Sequence, residues 1–406
     1  MSHLDARALH AFLDELWTVF EKRPHVFRRP FTPPVADPAE YWHVLLGWAD
    51  QVRAGRRFAP PRWIEEGLLP VREDGGLPAF CRRVEERYQG DWYLYEPDGV
   101  QQWGPTVWDH VTEIVRPIVG HIGRLPPGGL NLDLFLGKYD RTPTGIHRDE
   151  GDVLAFVTHG TKHLYFWPLE TFTAPWGTPA RNHYQTGIWD YTRHVGSAIS
   201  IEAQAGDIIY WPRQYFHIGT SPDAWAGMVT MTMWWNMPAQ RAVRYMADAL
   251  WPVDVEPASY RYDPEELSLY AGSLPGDLAN ASAAIQRRLA QTWDRSLAEA
   301  WARVVTSYGF LVPPAPREVA AGAVERFRVR HPMAVVEIDG QDIVFACGHR
   351  VGALDGAAPD LRRALPRLAV GQVVDVRQHW TDGQPASTPL ATLLAGLQRA
   401  GSIEPI

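Results

Sequence analysis

Two cysteines, Cys81 and Cys347, in a chain of 406 residues are too few for a disulfide framework and exclude a site built on several thiolates. Any metal has to be taken by histidine and carboxylate. No apolar run approaches the roughly 20 residues that a membrane-spanning helix requires. Positive charge is not in surplus either: 39 Lys and Arg stand against 47 Asp and Glu, a net charge of −8. That balance gives no overall pull toward nucleic acid, although it is compatible with a local basic face. The start, Met1-Ser2-His3-Leu4-Asp5, lacks the basic region and apolar stretch of a secretory signal, so the cytoplasm is the expected location. What the chain has in abundance is tryptophan, 18 residues, expected chiefly as core filling, with some left to line a peptide- or base-binding groove.

The length exceeds that of one compact domain, so a catalytic unit with smaller additions is expected. The first ninety or so residues mix a helical stretch, Leu9–Phe20, with Pro-rich connections and a helical segment at Tyr41–Gln51, a pattern of wrapping. From Leu130 the pattern becomes short apolar or alternating runs parted by turn residues: Leu130–Leu136, Val153–His159, His163–Trp167, Ala198–Glu202, Asp207–Trp211 and Met228–Trp235. Strands at this spacing, with no helical period between most of them, predict a sandwich or barrel, not a parallel sheet. Beyond Pro238 the spacing predicts helices at Ala239–Leu250 and Ala281–Tyr308. The second sets Ile285, Leu289, Trp293, Leu297, Trp301 and Val304 on one stripe, with Gly309 as its stop. Pro313, Pro314 and Pro316 read as a linker. After it, Met333–Ile338 and Asp342–Ala346 flank Asp339-Gly340, a hairpin signal, and apolar helices follow at Leu361–Leu368 and Leu390–Leu397.

Gly145-Ile146-His147-Arg148-Asp149 follows a strand and a turn containing Thr142, Pro143 and Thr144. In an extended chain residues i and i+2 face the same way, so His147 and Asp149 can converge on one ion. His217 closes Gly206-Asp207-Ile208-Ile209-Tyr210-Trp211-Pro212-Arg213-Gln214-Tyr215-Phe216-His217, a strand leading into a proline-containing turn. Two histidines and one carboxylate on one face leave open positions, the ligand set of non-haem iron(II) oxygenases. Lys162, in His159-Gly160-Thr161-Lys162-His163-Leu164-Tyr165-Phe166-Trp167, sits amid apolar sequence, and a buried ammonium needs an anionic partner. The histidines at 159, 163, 183, 194 and 349 are expected to be structural.

With these motifs, the segment from about Leu130 to Trp235 resembles the JmjC-type, cupin-fold Fe(II)/2-oxoglutarate-dependent oxygenases. The layout is similar to that of bacterial ribosomal oxygenases and asparaginyl hydroxylases, with Trp17–Phe31 similar to the family's opening segment. The resemblance implies a mainly β core, a double-stranded β-helix with helical additions. It implies a catalytic unit with N-terminal wrapping at 1–238, a helical segment at 239–312 and a small winged-helix-like C-terminal domain at 317–406. His147, Asp149 and His217 then match the iron ligands. Lys162 matches the residue for the distal carboxylate of 2-oxoglutarate, and Thr144 and Asn131 match further cosubstrate contacts. No asparagine follows His217 on the Thr230-Met231-Thr232-Met233-Trp234-Trp235 strand, where some relatives have one, so Thr230 or Thr232 stands in for it. Tyr139, Trp189, Trp234 and Trp235 are the expected substrate contacts. Fe(II), 2-oxoglutarate and O2 are the implied cofactors.

The layout of core, helical segment and tail suits a protein or peptide substrate, either a ribosomal protein or a ribosomally made natural-product precursor. In the second case the tail resembles the small winged-helix domains that bind leader peptides by adding a strand to a sheet edge. A homodimer contact would fall in the helical segment. The competing readings are a nucleic-acid-modifying oxygenase using Arg317, Arg326, Arg328 and Arg330, and a non-enzymatic cupin-fold binding protein. Glu318 and Glu325 dilute the first, and the complete triad with Lys162 and Thr144 opposes the second. The Thr171–Val195 insertion, which parts the two halves of the triad, is expected either to cover substrate or to be a packed excursion.

Overall fold

The computed structural model describes residues 4–36, 38–54, 68–88, 90–96, 99–142, 144–172, 186–235, 286, 294–310, 312–319, 324–355, 357, 360–381 and 386–406. The expected helix Ala239–Leu250, most of the first half of Ala281–Tyr308 and residues 173–185 of the insertion lie outside them.

The chain opens with α1 (Ala6–Val19), whose N-cap Asp5 accepts from the amides of Arg7 and Ala8 and so satisfies donors the first turn leaves free. Phe12, Leu16 and Val19, at steps of four and three, are the residues it buries. Then come β1 (His25–Phe27), α2 (Pro38–Arg53), α3 (Leu77–Arg87), β2 (Trp92–Glu96) and α4 (Pro105–Ile122). The sequence reading assigns nothing between residues 90 and 129, yet α4 is an 18-residue helix there. Pro117 inside it reads as a breaker, but Val107, Trp108, Val111, Ile114, Val115 and Ile118 are all buried, and their packing overrides that cost.

The core strands are β3 (Leu130–Tyr139), β4 (Gly151–His159), β5 (Thr161–Pro168), β6 (Ile199–Gln204), β7 (Ile208–Trp211) and β8 (Tyr215–Trp234). The expected runs fall on β3 to β7. Met228–Trp235, however, matches only the second part of β8, a 20-residue strand whose middle, Ser221-Pro222-Asp223, looks like a turn in sequence. That strand joins two facing antiparallel sheets. Its first part pairs with β5, which pairs with β6, while its second part lies between β4 and β3 in the order β1-β7-β4-β8-β3-β2. His147 adds a single bridge to the other side of His217. The result is a jelly-roll-like strand order, with β3, β8, β4 and β7 facing β6, β5, β8 and the His147 bridge.

Alternation then sorts the side chains. Leu130, Leu132, Leu134, Leu154, Phe156, Val229 and Met231 face outward and form one core with α1, α2, α3 and α4. Val153, Ala155, Leu164, Phe166, Ile209, Trp211 and Met228 point between the sheets and form a second.

Helix α5 runs over 294–306 and ends at Gly309, at φ 93°, as the spacing predicts. Of the expected stripe, Leu297 is 44% and Trp301 63% exposed, while Ala302 and Thr306 are buried instead; Ile285, Leu289 and Trp293 lie outside the described residues. The tail comprises a sheet in the order β13-β9-β14 (Val373–Asp375, Arg326–Val329, Ile403–Pro405) and a meander of β10 (Met333–Ile338), β11 (Gln341–Ala346) and β12 (His349–Ala353). With these are α6 (Leu361–Ala364), α7 (Val376–Trp380) and α8 (Thr388–Arg399). The predicted hairpin is present, with Asp339 and Gly340 at φ 52° and 79°.

Pro313 to Pro316 are not a free linker. Gln101 Nε2 donates to Val312 O at 2.9 Å, Ala315 N donates to Gln101 O, and Pro314 O lies 2.7 Å from His349 Nε2. Arg317 Nη2 reaches both oxygens of Asp109 on α4, at 2.5 and 2.6 Å, and Leu130 of β3 bridges to Phe310. Burial pushes the Asp109 carboxyl up, but His331 and Arg317 outweigh it and hold it below the usual carboxylate range.

Candidate metal centre

His147, Asp149 and His217 each offer a ligand atom, and these atoms all lie within 4.8 Å of one another. The backbone route differs from the one expected. His147 and Asp149 are not on a regular strand: only His147 pairs, and it does so with His217 itself. His147 N donates to His217 O at 3.0 Å and His217 N to His147 O at 2.7 Å, so the two side chains leave one hydrogen-bonded pair on the same face. Their ring centroids are 4.2 Å apart. Gly145 makes the preceding turn at φ 66°, where a Cβ would meet Ile188 O at 2.6 Å.

The imidazole of His147 is oriented through Nδ1, which lies 3.0 Å from both Gly145 O and Thr144 Oγ1. A proton on Nδ1 donated to Gly145 O leaves the Nε2 lone pair for a cation. Thr144, expected beside the cosubstrate, is thus placed against the His147 ring. His217 Nε2 lies 3.6 Å from Asp149 Oδ2. Burial, and then the neighbouring His147, lower the His217 pKa well below that of a free imidazole, so the ring is neutral and able to ligate. Burial raises the Asp149 carboxyl, with His147 opposing it in part. A bound divalent cation reverses that balance. Rings of Trp211 and Phe166, with centroids 5.0 and 6.2 Å from that of His217, flank that imidazole.

Deeper between the sheets lies Lys162, 1% exposed. Its Nζ is 2.5 Å from Tyr139 Oη and 3.5 Å from Ser221 Oγ, and burial lowers its pKa to about 7. No carboxylate pairs with it among the described residues. Phe166 lies opposite His217 in the β5–β8 register, and Lys162 is on the same face four residues earlier, roughly 13 Å along the strand. The interior between the sheets therefore has donors for a metal at one end and a buried lysine at the other.

Tyr139, expected among the substrate contacts, is 1% exposed and belongs to the lysine end. Asn131, Thr230 and Thr232 line the interior: Asn131 pairs with Thr232 across the sheet and Asp133 with Thr230, each 4–6% exposed. Asn131 Nδ2 donates to Asp133 Oδ1 at 2.8 Å and Asn131 Oδ1 accepts from Trp234 Nε1 at 2.5 Å, a relay from rim to interior. Trp235 turns to the outer face, packs against the first core and has Arg124 over its ring. Trp189 stands 49% exposed near Gly145, in a segment held by Ile146 N donating to Ile188 O and Thr186 N donating to Ile146 O. Sequence reasoning missed Ser221 and Asp133. Ser221 lies four residues after His217 and Asp133 two after Asn131, so the period-2 rule carries a signal for both once the strands are known.

Neither a protein-family model nor a curated protein matches the chain. Among solved structures, the ribosomal oxygenase YcfD from Escherichia coli is 17% identical, over 97% of this chain and 98% of that one, with a TM-score of 0.47. YcfD in complex with cobalt and 2-oxoglutarate is 16% identical over 97% of each chain, with a TM-score of 0.45. An RmlC-like cupin family protein from Methanocaldococcus jannaschii, described as a double-stranded beta-helix, is 8% identical over 27% of this chain and 75% of that one, with a TM-score of 0.18.

Proposed function

We propose that this protein is an Fe(II)- and 2-oxoglutarate-dependent oxygenase that hydroxylates a C–H bond in a side chain of a protein or peptide. The observation that carries the reading is the pairing of a two-histidine, one-carboxylate cluster with a fully buried lysine that no described carboxylate answers, both inside one double-sheet core. A structural metal site would not require the second feature. A buried lysine without a counter-anion is costly, and a dicarboxylate that bridges from the metal end to Nζ removes that cost.

When bound, iron(II) with 2-oxoglutarate and O2 supplies oxidative decarboxylation to succinate, coupled to insertion of one oxygen atom into a C–H bond. The protein's part is binding and placement. His147 Nε2, His217 Nε2 and Asp149 would hold the ion. Gly145 O and Thr144 Oγ1 hold the His147 ring at its angle. Lys162, with Tyr139 Oη and Ser221 Oγ beside it, would receive the distal carboxylate. Asn131, Thr230 and Thr232 offer polar groups on the same interior, and Trp211 and Phe166 keep water from the inner side of the ligands.

A macromolecular substrate is supported by the layout. The proposed division, carried over from the sequence, would be a catalytic unit at 1–238, a helical segment at 239–312, where a homodimer contact would fall, and a winged-helix-like tail at 317–406. Trp189 and Trp234, near the site's rim, would touch the substrate. The cytoplasm suits this chemistry; no described helix is long and apolar enough to cross a membrane.

The test is to reconstitute anaerobically purified protein with Fe(II), admit oxygen with 2-oxoglutarate, and measure succinate together with oxygen-atom gain across a host peptide pool. Iron-dependent succinate formation is expected without substrate, and stimulation by the peptide fraction that gains oxygen. No iron-dependent succinate under any of these conditions would end the oxygenase reading. Succinate formation stimulated only by small metabolites would end the peptide reading alone.

A further inference from the structure

We propose that the cavity between α4 and the tail is a binding site for a compact oxyanion carrying two negative charges, separate from the metal centre. The cavity measures about 180 Å³. One wall is a single face of α4, on which Asp109, Glu113 and Arg116 follow at steps of four and three. The opposite wall is β9 and the residues after it. Phe327 and Val329 are wholly buried in the tail core, so alternation turns Arg328 and Arg330 the other way, toward α4. The tail thus meets the helix through charged side chains around a space.

The acidic groups there are already engaged. Asp109 is held by both contacts of Arg317 and lies 3.4 Å from His331 Nε2, and Glu113 Oε2 accepts from Leu4 N at 3.0 Å. Arg330 pairs with Glu404 at 3.5 Å. Arg116 is exposed at the opening, hydrogen-bonded to Tyr308, with no ion pair to a described carboxylate. Arg328, half-buried, likewise has no ion pair to a described carboxylate, and its Nε is buried without a hydrogen-bond partner among the described residues. A guanidinium that lines a space and has no carboxylate partner carries a desolvation cost that an anion in that space would lower. Two guanidinium forks from opposite walls suit an anion with several acceptor oxygens, because each fork can grip two of them. The volume suits a phosphate or a short dicarboxylate. This arrangement also uses the Arg-rich stretch that looked in sequence like a nucleic-acid face: Arg317 and Arg330 are spent within the molecule, and Arg328 faces inward.

The test uses the full-length protein at constant ionic strength. Because the metal centre can itself take carboxylates, binding is measured in a Lys162→Met background by calorimetry and thermal melting, with inorganic phosphate and succinate as parallel probes and chloride as control. Saturable binding with a raised melting temperature is expected from at least one probe. Phosphate binding alone identifies a tetrahedral anion site, and succinate binding alone a two-ended dicarboxylate site. Adding Arg328→Gln should weaken Kd by about tenfold or more, the value of one charge-assisted contact. Arg116→Gln, at an exposed position that leaves folding intact, should act in the same direction and decides the matter should Arg328→Gln fail to fold. Absence of binding by both probes beyond chloride, or a Kd unchanged by the folded variants, overturns the proposal.

Discussion

At the scale of single residues, the site places opposite demands on two buried groups. Removing any of the triad should abolish iron-dependent succinate formation: His147→Ala, Asp149→Ala and His217→Ala each delete a donor, and Asp149→Asn deletes the charge while keeping the shape. Melting curves of the apo variants should stay close to the parent, and near-normal turnover in any one would remove that residue from the ligand set. Lys162 makes a sharper case. Burial lowers its pKa from 10.5 to about 7, so between those values the unfolded chain binds a proton that the folded chain does not. The group's contribution to stability therefore rises with pH across that window and is least favourable below pH 7. Lys162→Met should melt higher than the parent at pH 6, by a margin that shrinks by pH 9, while its KM for 2-oxoglutarate rises roughly 10- to 100-fold for the loss of about 1.5–3 kcal/mol. In the parent, that KM should climb above pH 7 as the ammonium is lost. A margin independent of pH would show that the lysine is not the buried cation described.

Elements show what a sequence pattern holds and what it hides. Strands β3 to β7 were legible because alternation and turn residues agree along each run. The first half of β8 was not, because Pro222 and Asp223 are turn formers that an edge-exposed bend tolerates. Helix α4 was hidden by Pro117, whose local cost is outweighed by a face of buried Val, Ile and Trp. The triad itself was legible from residue type and spacing, but its means of convergence was not, since a one-pair bridge to His217 depends on a partner 70 residues away. Gly145 is where this matters most. At φ 66°, and with Ile188 O only 2.6 Å from the place a methyl group would take, Gly145→Ala should shift the turn that aims His147. Iron affinity should fall about tenfold or more while the overall melting temperature drops only modestly, a split that metal titration beside thermal melting would reveal. An equal loss in both would mean that the turn serves folding in general.

The whole molecule is bound together more tightly than its proline-rich junction suggests. Asp109, 5% exposed on α4, has Arg317 as its bidentate partner, and His331 stands alongside. Removing one member of a buried pair commonly costs about 3–5 kcal/mol; Arg317 is partly exposed, so Arg317→Ala should fall at or below the lower end of that range. Hydrogen exchange should quicken in β9 and β14, while succinate formation without substrate should change less than twofold. Exchange confined to its parental rate would show that the pair does not hold the tail. Deletion of residues 332–406 is correspondingly expected to cause aggregation, because it uncovers the inner faces of β9 and α5, and it is a poor test of substrate recognition.

Strand β8 has a wider consequence. One uninterrupted run of backbone brings His217, Ser221, Thr230, Thr232 and Trp234 to the interior from two different sheets. A slip of a single residue would turn all of them outward at once. The His147–Asp149–His217 cluster and the polar surroundings of Lys162 thus share one ruler and cannot be adjusted separately. Anyone redesigning this protein for a new substrate would find little freedom there. The adjustable part is the described stretch 186–190 around the exposed Trp189, where a change of side chain leaves the ruler unmoved.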